Sequence, residues 1–260
     1  MARSSENWSR EEHILAFNLY CKIPFSSIGM RNPRVIELAS LLRRSVGSVS
    51  YKLTNFARLD PALHARGIRG HTHGAKGEEH VWSEFIDHPE ALAFESERLL
   101  AALLGKRVEE IAEIDERDLP RSGIERDAVV RVRVNQSFFR SRILSAYEYR
   151  CCVTGLTVRP LLVASHIIPW AEDEANRLNA RNGLCLNALH DRAFDRRLMW
   201  VDDGLRIRFA ASLCDAADVA DSTRQWLTSF EGELLRLPKR FSPDPEFLRV
   251  HASASQAGFL

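Results

Sequence analysis

The sequence predicts an α+β protein, with a helical N-terminal part followed by a mixed C-terminal domain. Three features carry that expectation. Apolar residues recur at helical spacing through much of residues 1–104, residues 105–126 are acidic and punctuated by Pro and Gly, and short alternating runs with an Asp-Gly turn begin after Ala128. The expected organisation is a helical domain over 1–104, a linker over 105–126 and a second domain over 127–260. A chain of 260 residues is long for one domain and comfortable for two, at roughly 100–200 residues per domain.

Each element has a local reason. Ser9-Arg-Glu-Glu12 is a capping-box pattern, and Ile14, Phe17 and Cys21 follow at helical spacing behind Trp8. Val35, Leu38, Leu41 and Leu42 predict a second helix. A Ser45–Ser48 turn leads to a third helix carrying Val49, Leu53 and Phe56. Three short helices, the last two tightly joined and rich in Arg, Lys and Ser, outline a helix-turn-helix. Gly67, Gly70, Gly74 and Gly77, with His71 and His73, predict a loop. His71-Thr-His73 lacks further ligand spacing and reads as loop surface. A further helix is expected from Trp82 to about Leu104, and one helical turn or two within the linker.

From Ala128, the run Ala-Val-Val-Arg-Val-Arg-Val alternates like a strand, and Phe138–Tyr147 reads as a helix. Leu198–Val201, an Asp202-Asp-Gly204 turn and Leu205–Phe209 predict a hairpin. The tail over Leu234–His251 is expected to pack back onto the second domain.

The formal net charge of +1 hides an uneven distribution. Between Arg31 and Lys76, nine basic residues stand against Glu37 and Asp60. An acidic run follows with Glu109, Glu110, Glu113, Asp115, Glu116 and Asp118, and arginine returns at Arg126, Arg131, Arg133, Arg140, Arg142 and Arg150. Two basic blocks suit contact with a polyanion at two places, although solvated helix faces produce the same pattern. The start has no signal-type apolar stretch and no run reaches membrane-spanning length, so a cytoplasmic protein without membrane contact is expected. Five cysteines, Cys21, Cys151, Cys152, Cys185 and Cys214, form an odd set without Cys-x-x-Cys spacing. Neither a disulfide framework nor a structural zinc is expected; Cys151, Cys152 and Cys185 read as small buried hydrophobes.

Two resemblances follow from these residues. The Trp8-Ser-x-Glu-Glu opening resembles SANT/Myb-type three-helix domains. On that resemblance Gly47–Asn55 is the recognition helix, offering Ser48, Ser50, Tyr51, Lys52 and Asn55, with Arg43 and Arg44 as further candidate DNA contacts; a packing or dimerisation module is the alternative. More specific are three separated motifs: Cys151-Cys-Val-Thr-Gly-Leu, Ala164-Ser-His-Ile-Ile-Pro-Trp170, and Asn179-Ala-Arg-Asn-Gly-Leu-Cys-Leu-Asn-Ala-Leu-His-Asp-Arg-Ala-Phe-Asp195. Over residues 128–210 the chain resembles the HNH, or ββα-metal, endonuclease family, in particular the branch whose third motif ends in Phe-Asp. The resemblance implies a β-hairpin followed by a helix, a single divalent metal between them, and phosphodiester hydrolysis.

On the family pattern His166 is the general base, an imidazole whose pKa lies near the working pH. Asn182 matches the central Asn, which ties a loop and orients the base without transferring a proton. The third-motif ligand falls on Asp191, nine residues after Asn182, with Asp195 one helical turn later on the same face. His190 remains the alternative first ligand. The family more often has His at this position and an acidic residue where this chain has Ser165. Two carboxylates favour Mg²⁺ or Mn²⁺ over Zn²⁺. Trp170 and Phe194 read as core anchors. Arg150, Arg181 and Arg192 are candidate phosphate contacts among the arginines that crowd the motif.

Together these readings predict a metal-dependent endonuclease acting on double-stranded DNA, of restriction or defence type, without an organic cofactor. A homodimer is expected because one such site cuts one strand. Two alternatives stay open: a DNA-binding regulator with a degenerate nuclease fold, and a nonspecific toxin-type nuclease.

Overall fold

The computed structural model describes residues 7–68, 76–112, 114, 119–120, 123–214 and 220–257. His71 and His73, and Glu113, Asp115, Glu116 and Asp118 of the acidic run, lie outside them. The chain divides into two compact units, Met1–Ser145 and Ala146–Leu260. The division therefore falls at the end of a helix, not within the expected 105–126 linker.

The first unit is helical. Helix α1 (Arg10–Lys22) starts at a complete capping box: the Ser9 hydroxyl accepts the Glu12 N–H while the Glu12 carboxylate accepts the Ser9 N–H. Every residue from His13 to Lys22 is buried, so α1 is the axis around which the unit packs. Helix α2 (Pro33–Leu41) and helix α3 (Val46–Ala57) follow as expected, α3 capped by the Ser45 hydroxyl on the Ser48 N–H. Helix α4 (Pro61–His64) is a single turn, capped by Asp60. Phe17, Tyr20, Phe56 and Trp82 pack ring against ring with centroids 4.9–6.4 Å apart, and Tyr20 donates to the buried Asp60 carboxylate at 2.8 Å.

The helix expected over Trp82–Leu104 is two helices, α5 (Lys76–Phe85) and α6 (Pro89–Leu104). Pro89 has no N–H to continue α5 but fits the first turn of α6. Gly105, at φ 63°, ends α6 in the left-handed conformation that glycine adopts without penalty. Helix α7 (Val108–Ile111) is the one-turn helix of the acidic stretch, where Glu109 pairs with Arg126 at 2.8 Å and Glu110 with Arg107 at 2.9 Å.

Residues 128–134, expected as a strand, lie inside the long helix α8 (Ile124–Ala146). Val130, Val134 and Phe138 are buried at four-residue intervals, whereas Val132, the alternating partner, is exposed. A Val-x-Val-x-Val run satisfies both periods, and the apolar residues that continue the four-residue series decide for helix.

The second unit contains strand β1 (Leu162–His166), strand β2 (Gly183–Asn187) and helix α9 (Ala188–Asp195), in that order. β1 and β2 pair antiparallel from Leu162↔Asn187 to His166↔Gly183, and α9 packs on both strands. The predicted hairpin forms from β3 (Met199–Val201) and β4 (Ile207–Phe209), with the Asp202 carboxylate accepting the N–H groups of Gly204 and Arg206. Helices α10 (Ala211–Cys214), α11 (Asp221–Thr228) and α12 (Pro245–Ala257) complete the unit, α12 lying against β3. Among the described residues no helix is long and apolar enough to cross a membrane.

One buried contact in this unit predicts a pH dependence. The His251 ring stacks on Phe194 at 3.6 Å with a 3° interplanar angle, and its Nε2–H donates to the Phe194 carbonyl at 3.2 Å. Burial, with Arg197 adding repulsion, pushes its pKa down to about 3. The unfolded chain, with an ordinary value near 6.5, takes up the proton first as pH falls. The contribution is therefore intact above about pH 6.5 and is lost on the way down to pH 3, about 3 kcal/mol having gone by pH 4. Urea unfolding at pH 7 and pH 4 checks this. His251→Phe should lose less stability on acidification than the parent chain; an identical loss would show that His251 is not the sensor.

Candidate active site

His166 is the last residue of β1, where the chain leaves the strand for a loop over 167–182 that returns into β2. Its Nε2 lies 2.9 Å from the Arg177 carbonyl oxygen, which accepts a proton and thereby assigns Nε2–H to the ring. The basic lone pair then sits on Nδ1, the arrangement a general base requires. Burial lowers the His166 pKa below the ordinary histidine value, with the Arg177 carbonyl and the Asp195 charge opposing that shift. The ring is consequently neutral at neutral pH.

Asn182 is fully buried and knits this loop. Its Oδ1 accepts the Ile168 N–H at 2.8 Å, and its Nδ2 donates to the carbonyls of Ile168, at 3.1 Å, and Asn176, at 3.3 Å. The Ile167 N–H donates to the Asn182 carbonyl at 3.0 Å. Asn182 thus clamps the two ends of the strand-to-strand loop directly behind His166. The other loop polars follow suit: Asn179 donates to Asn176, and Asn176 to Asp173.

Asn187, the last residue of β2, caps α9 by accepting the N–H groups of Leu189 and His190. The same side chain engages His190, the alternative ligand candidate. His190 is 0% exposed; its Nδ1 accepts from Asn187 Nδ2 at 2.9 Å and its Nε2–H donates to the Leu227 carbonyl at 3.2 Å. Both ring nitrogens are committed, so His190 is a buried structural histidine and not a metal ligand. Burial accordingly lowers its pKa.

Asp191 is half-buried and Asp195 exposed, on successive turns of α9. Burial raises the Asp191 pKa and the Asp195 charge adds to it, while the Ser165 hydroxyl and Arg192 oppose. Ser165 is 3% exposed, and its hydroxyl lies close enough to the Asp191 carboxylate to favour the charged form. Two neighbouring carboxylates one helical turn apart are oxygen ligands of the kind that suit a hard cation. Among the described residues no three His, Cys, Asp or Glu side chains converge on one point. Asp191 and Asp195 are the side chains that could hold a cation here.

The candidate DNA contacts separate into two groups. Arg43 is exposed just past α2 and Ser48 half-exposed on α3. Arg150, Arg181 and Arg192 are exposed; Arg150 donates to the Gly155 carbonyl and Arg181 pairs with Asp244 at 3.1 Å. The other three are corrected. Arg44 is buried, bonded through Nε and Nη2 to the Glu12 carboxylate and stacked over Trp8. Lys52 pairs with Glu78, itself 0% exposed, and Asn55 donates to the same carboxylate at 2.9 Å. Reaching a groove would strand the buried Glu78 carboxylate behind Lys52 and Asn55 and break the Arg44–Glu12 pair, so these three side chains hold the first unit together.

Other residues shape this site without having been expected to. Trp170 is no simple core anchor: it is part-exposed and stands edge-on to His166 at 5.5 Å. Arg177 had no motif to announce it, and Asn187 could have been found as an Asn directly ahead of a helix. Cys151, Cys152 and Cys185 are buried as expected, with Cys151 Sγ accepting the N–H groups of Thr154 and Asn187.

No curated protein matches the chain. Residues 151–202 match the family model for HNH endonuclease. That stretch runs from the buried cysteines through β1, the Asn182 loop, β2 and α9 to the end of β3, and includes His166, Asn182, Asp191 and Asp195. Over these residues, about a fifth of the chain, the ββα segment is similar to the HNH endonuclease family.

Proposed function

We propose that the protein is a metal-dependent endonuclease that hydrolyses double-stranded DNA. The observation that carries this reading is the His166 ring at the end of β1, held through Nε2 on the Arg177 carbonyl and near enough to α9 for the Asp195 charge to act on it. His166 takes a proton from water as that water attacks the scissile phosphorus. Asn182 and its loop keep the ring in place, and Asp191 and Asp195 hold a divalent cation, Mg²⁺ or Mn²⁺ in preference to Zn²⁺. When bound, the cation neutralises charge that gathers on the phosphate and the leaving oxygen. Arg150, Arg181 and Arg192 suit contact with the phosphate backbone, and Arg43 and Ser48 suit contact from the first unit. A restriction or defence role fits a cutting unit joined to a separate helical unit, and two copies would be needed to cut both strands.

The test is supercoiled plasmid incubated with the protein in EDTA, Mg²⁺, Mn²⁺ or Zn²⁺. Nicked and linear products are expected with Mg²⁺ or Mn²⁺. They should fall at least a hundredfold in Asp191→Asn/Asp195→Asn, about the size of losing a metal-based contribution. Specific DNA binding without nicking under any metal would overturn the nuclease reading in favour of a DNA-binding regulator. Cleavage unchanged by deletion of residues 1–100 would point instead to a nonspecific nuclease.

A further inference from the structure

The loop behind His166 contains a closed circuit of contacts. The Arg177 carbonyl accepts from His166 Nε2 at 2.9 Å. The guanidinium of the same residue turns back along the loop, donating through Nε to the Trp170 carbonyl at 2.9 Å and lying 5.3 Å over the Trp170 ring. Trp170 closes the circuit by standing edge-on to the His166 ring at 5.5 Å and 86°. Glu174 pairs with the outer face of the guanidinium at 3.1 Å. One residue thus supplies the acceptor that orients His166 through its backbone and fixes that acceptor through its side chain. Asn182 clamps the loop at Ile168 and at Asn176, and the Arg177 side chain adds a second tie from the residue that carries the acceptor to Trp170.

We propose that Arg177 is a positioning residue for the general base, with Trp170 as its anchor: the clasp selects the tautomer of His166 that carries its lone pair on Nδ1. An imidazole in water populates both neutral tautomers, and a base in the wrong tautomer presents a proton to the attacking water instead of a lone pair. Arginine suits the task because its planar fork can bond a carbonyl and stack on an indole together, whereas lysine can do only the first with comparable strength.

The inference rests on the nuclease reading for its consequence and on nothing but His166 for its test. In the full chain with ¹⁵N-labelled histidine, the two ring nitrogens of His166 report the tautomer without DNA or metal. The parent should show Nε2–H alone. Arg177→Ala should show a mixture, and Arg177→Lys should restore most of the parent pattern through its bond to the Trp170 carbonyl. In plasmid cleavage Arg177→Ala should lower kcat roughly tenfold with KM within about twofold, since a misplaced base weakens chemistry and not binding. An unmixed Nε2–H tautomer in Arg177→Ala overturns the clasp whatever the activity. If Arg177→Ala does not fold, Arg177→Met, which keeps the stem, carries the same test. A parent that never cleaves, with the tautomer mixture present in the variant, would overturn the nuclease reading and leave the clasp standing.

Discussion

His166→Ala is expected to lower Mg²⁺- or Mn²⁺-dependent plasmid cleavage by about a thousandfold, the middle of the range for losing a general base. The loss should be that large because the site offers no substitute among the described residues: the His190 ring has both nitrogens bonded and is sealed from solvent. The substitution should leave the fold intact, since His166 sits at the end of β1 and the Asn182 clamp does not pass through its ring. The pH profile gives an independent check. Because burial holds the His166 pKa below the ordinary value near 6.5, the base is already deprotonated at pH 7, and cleavage should decline only on the acid side of that value. Comparing rates across pH 5–8 in the parent, and residual rates in His166→Ala, measures both effects. Full activity in the variant, or an acid limb above pH 7, would remove His166 from the role of base.

The parts of the site that the sequence made legible are those set by short-range geometry. The spacing from Asn182 to Asp191 and the i, i+4 relation of Asp191 and Asp195 survive translation into β2 and α9 because strand and helix have fixed periods. What sets His190 apart from Asp191 is one more local fact, that Asn187 caps α9 and engages the His190 ring. The misreadings have a different origin. Alternation over 128–134 is ambiguous between two periods until burial is known, and Pro89 marks a break that the apolar run on either side of it conceals. Arg177 was invisible because its role depends on its carbonyl, which every residue possesses, and on a loop whose path no periodicity fixes. Lys52 and Asn55 looked like groove contacts because their acceptor, Glu78, lies 26 residues beyond Lys52, across a glycine-punctuated stretch.

That last misreading leads to the second large effect. Glu78→Ala should destabilise the protein by about 3–5 kcal/mol, the cost of leaving a buried cation without its partner. Glu78 is 0% exposed, and its removal strands the Lys52 ammonium and the Asn55 amide together. Trp8 offers the ammonium a ring face at 5.0 Å, a contact too weak to replace a carboxylate. Lys52→Met/Glu78→Met removes both charges at once, and most of the stability should return, because a buried pair contributes little over an apolar isostere while half a pair costs much. Thermal or urea unfolding of four chains, the parent, Lys52→Met, Glu78→Met and Lys52→Met/Glu78→Met, measures the cycle. The same chains separate structure from recognition: if Lys52 is structural, the double variant folds and binds DNA with the parent's affinity and salt dependence. Were Lys52 instead a phosphate contact, Lys52→Met would retain its stability, lose affinity and show a shallower salt slope by about one unit. The burial of the pair makes the first outcome the expected one, and it moves any DNA-contacting face of the first unit away from Lys52 and Asn55, to Arg43 and Ser48.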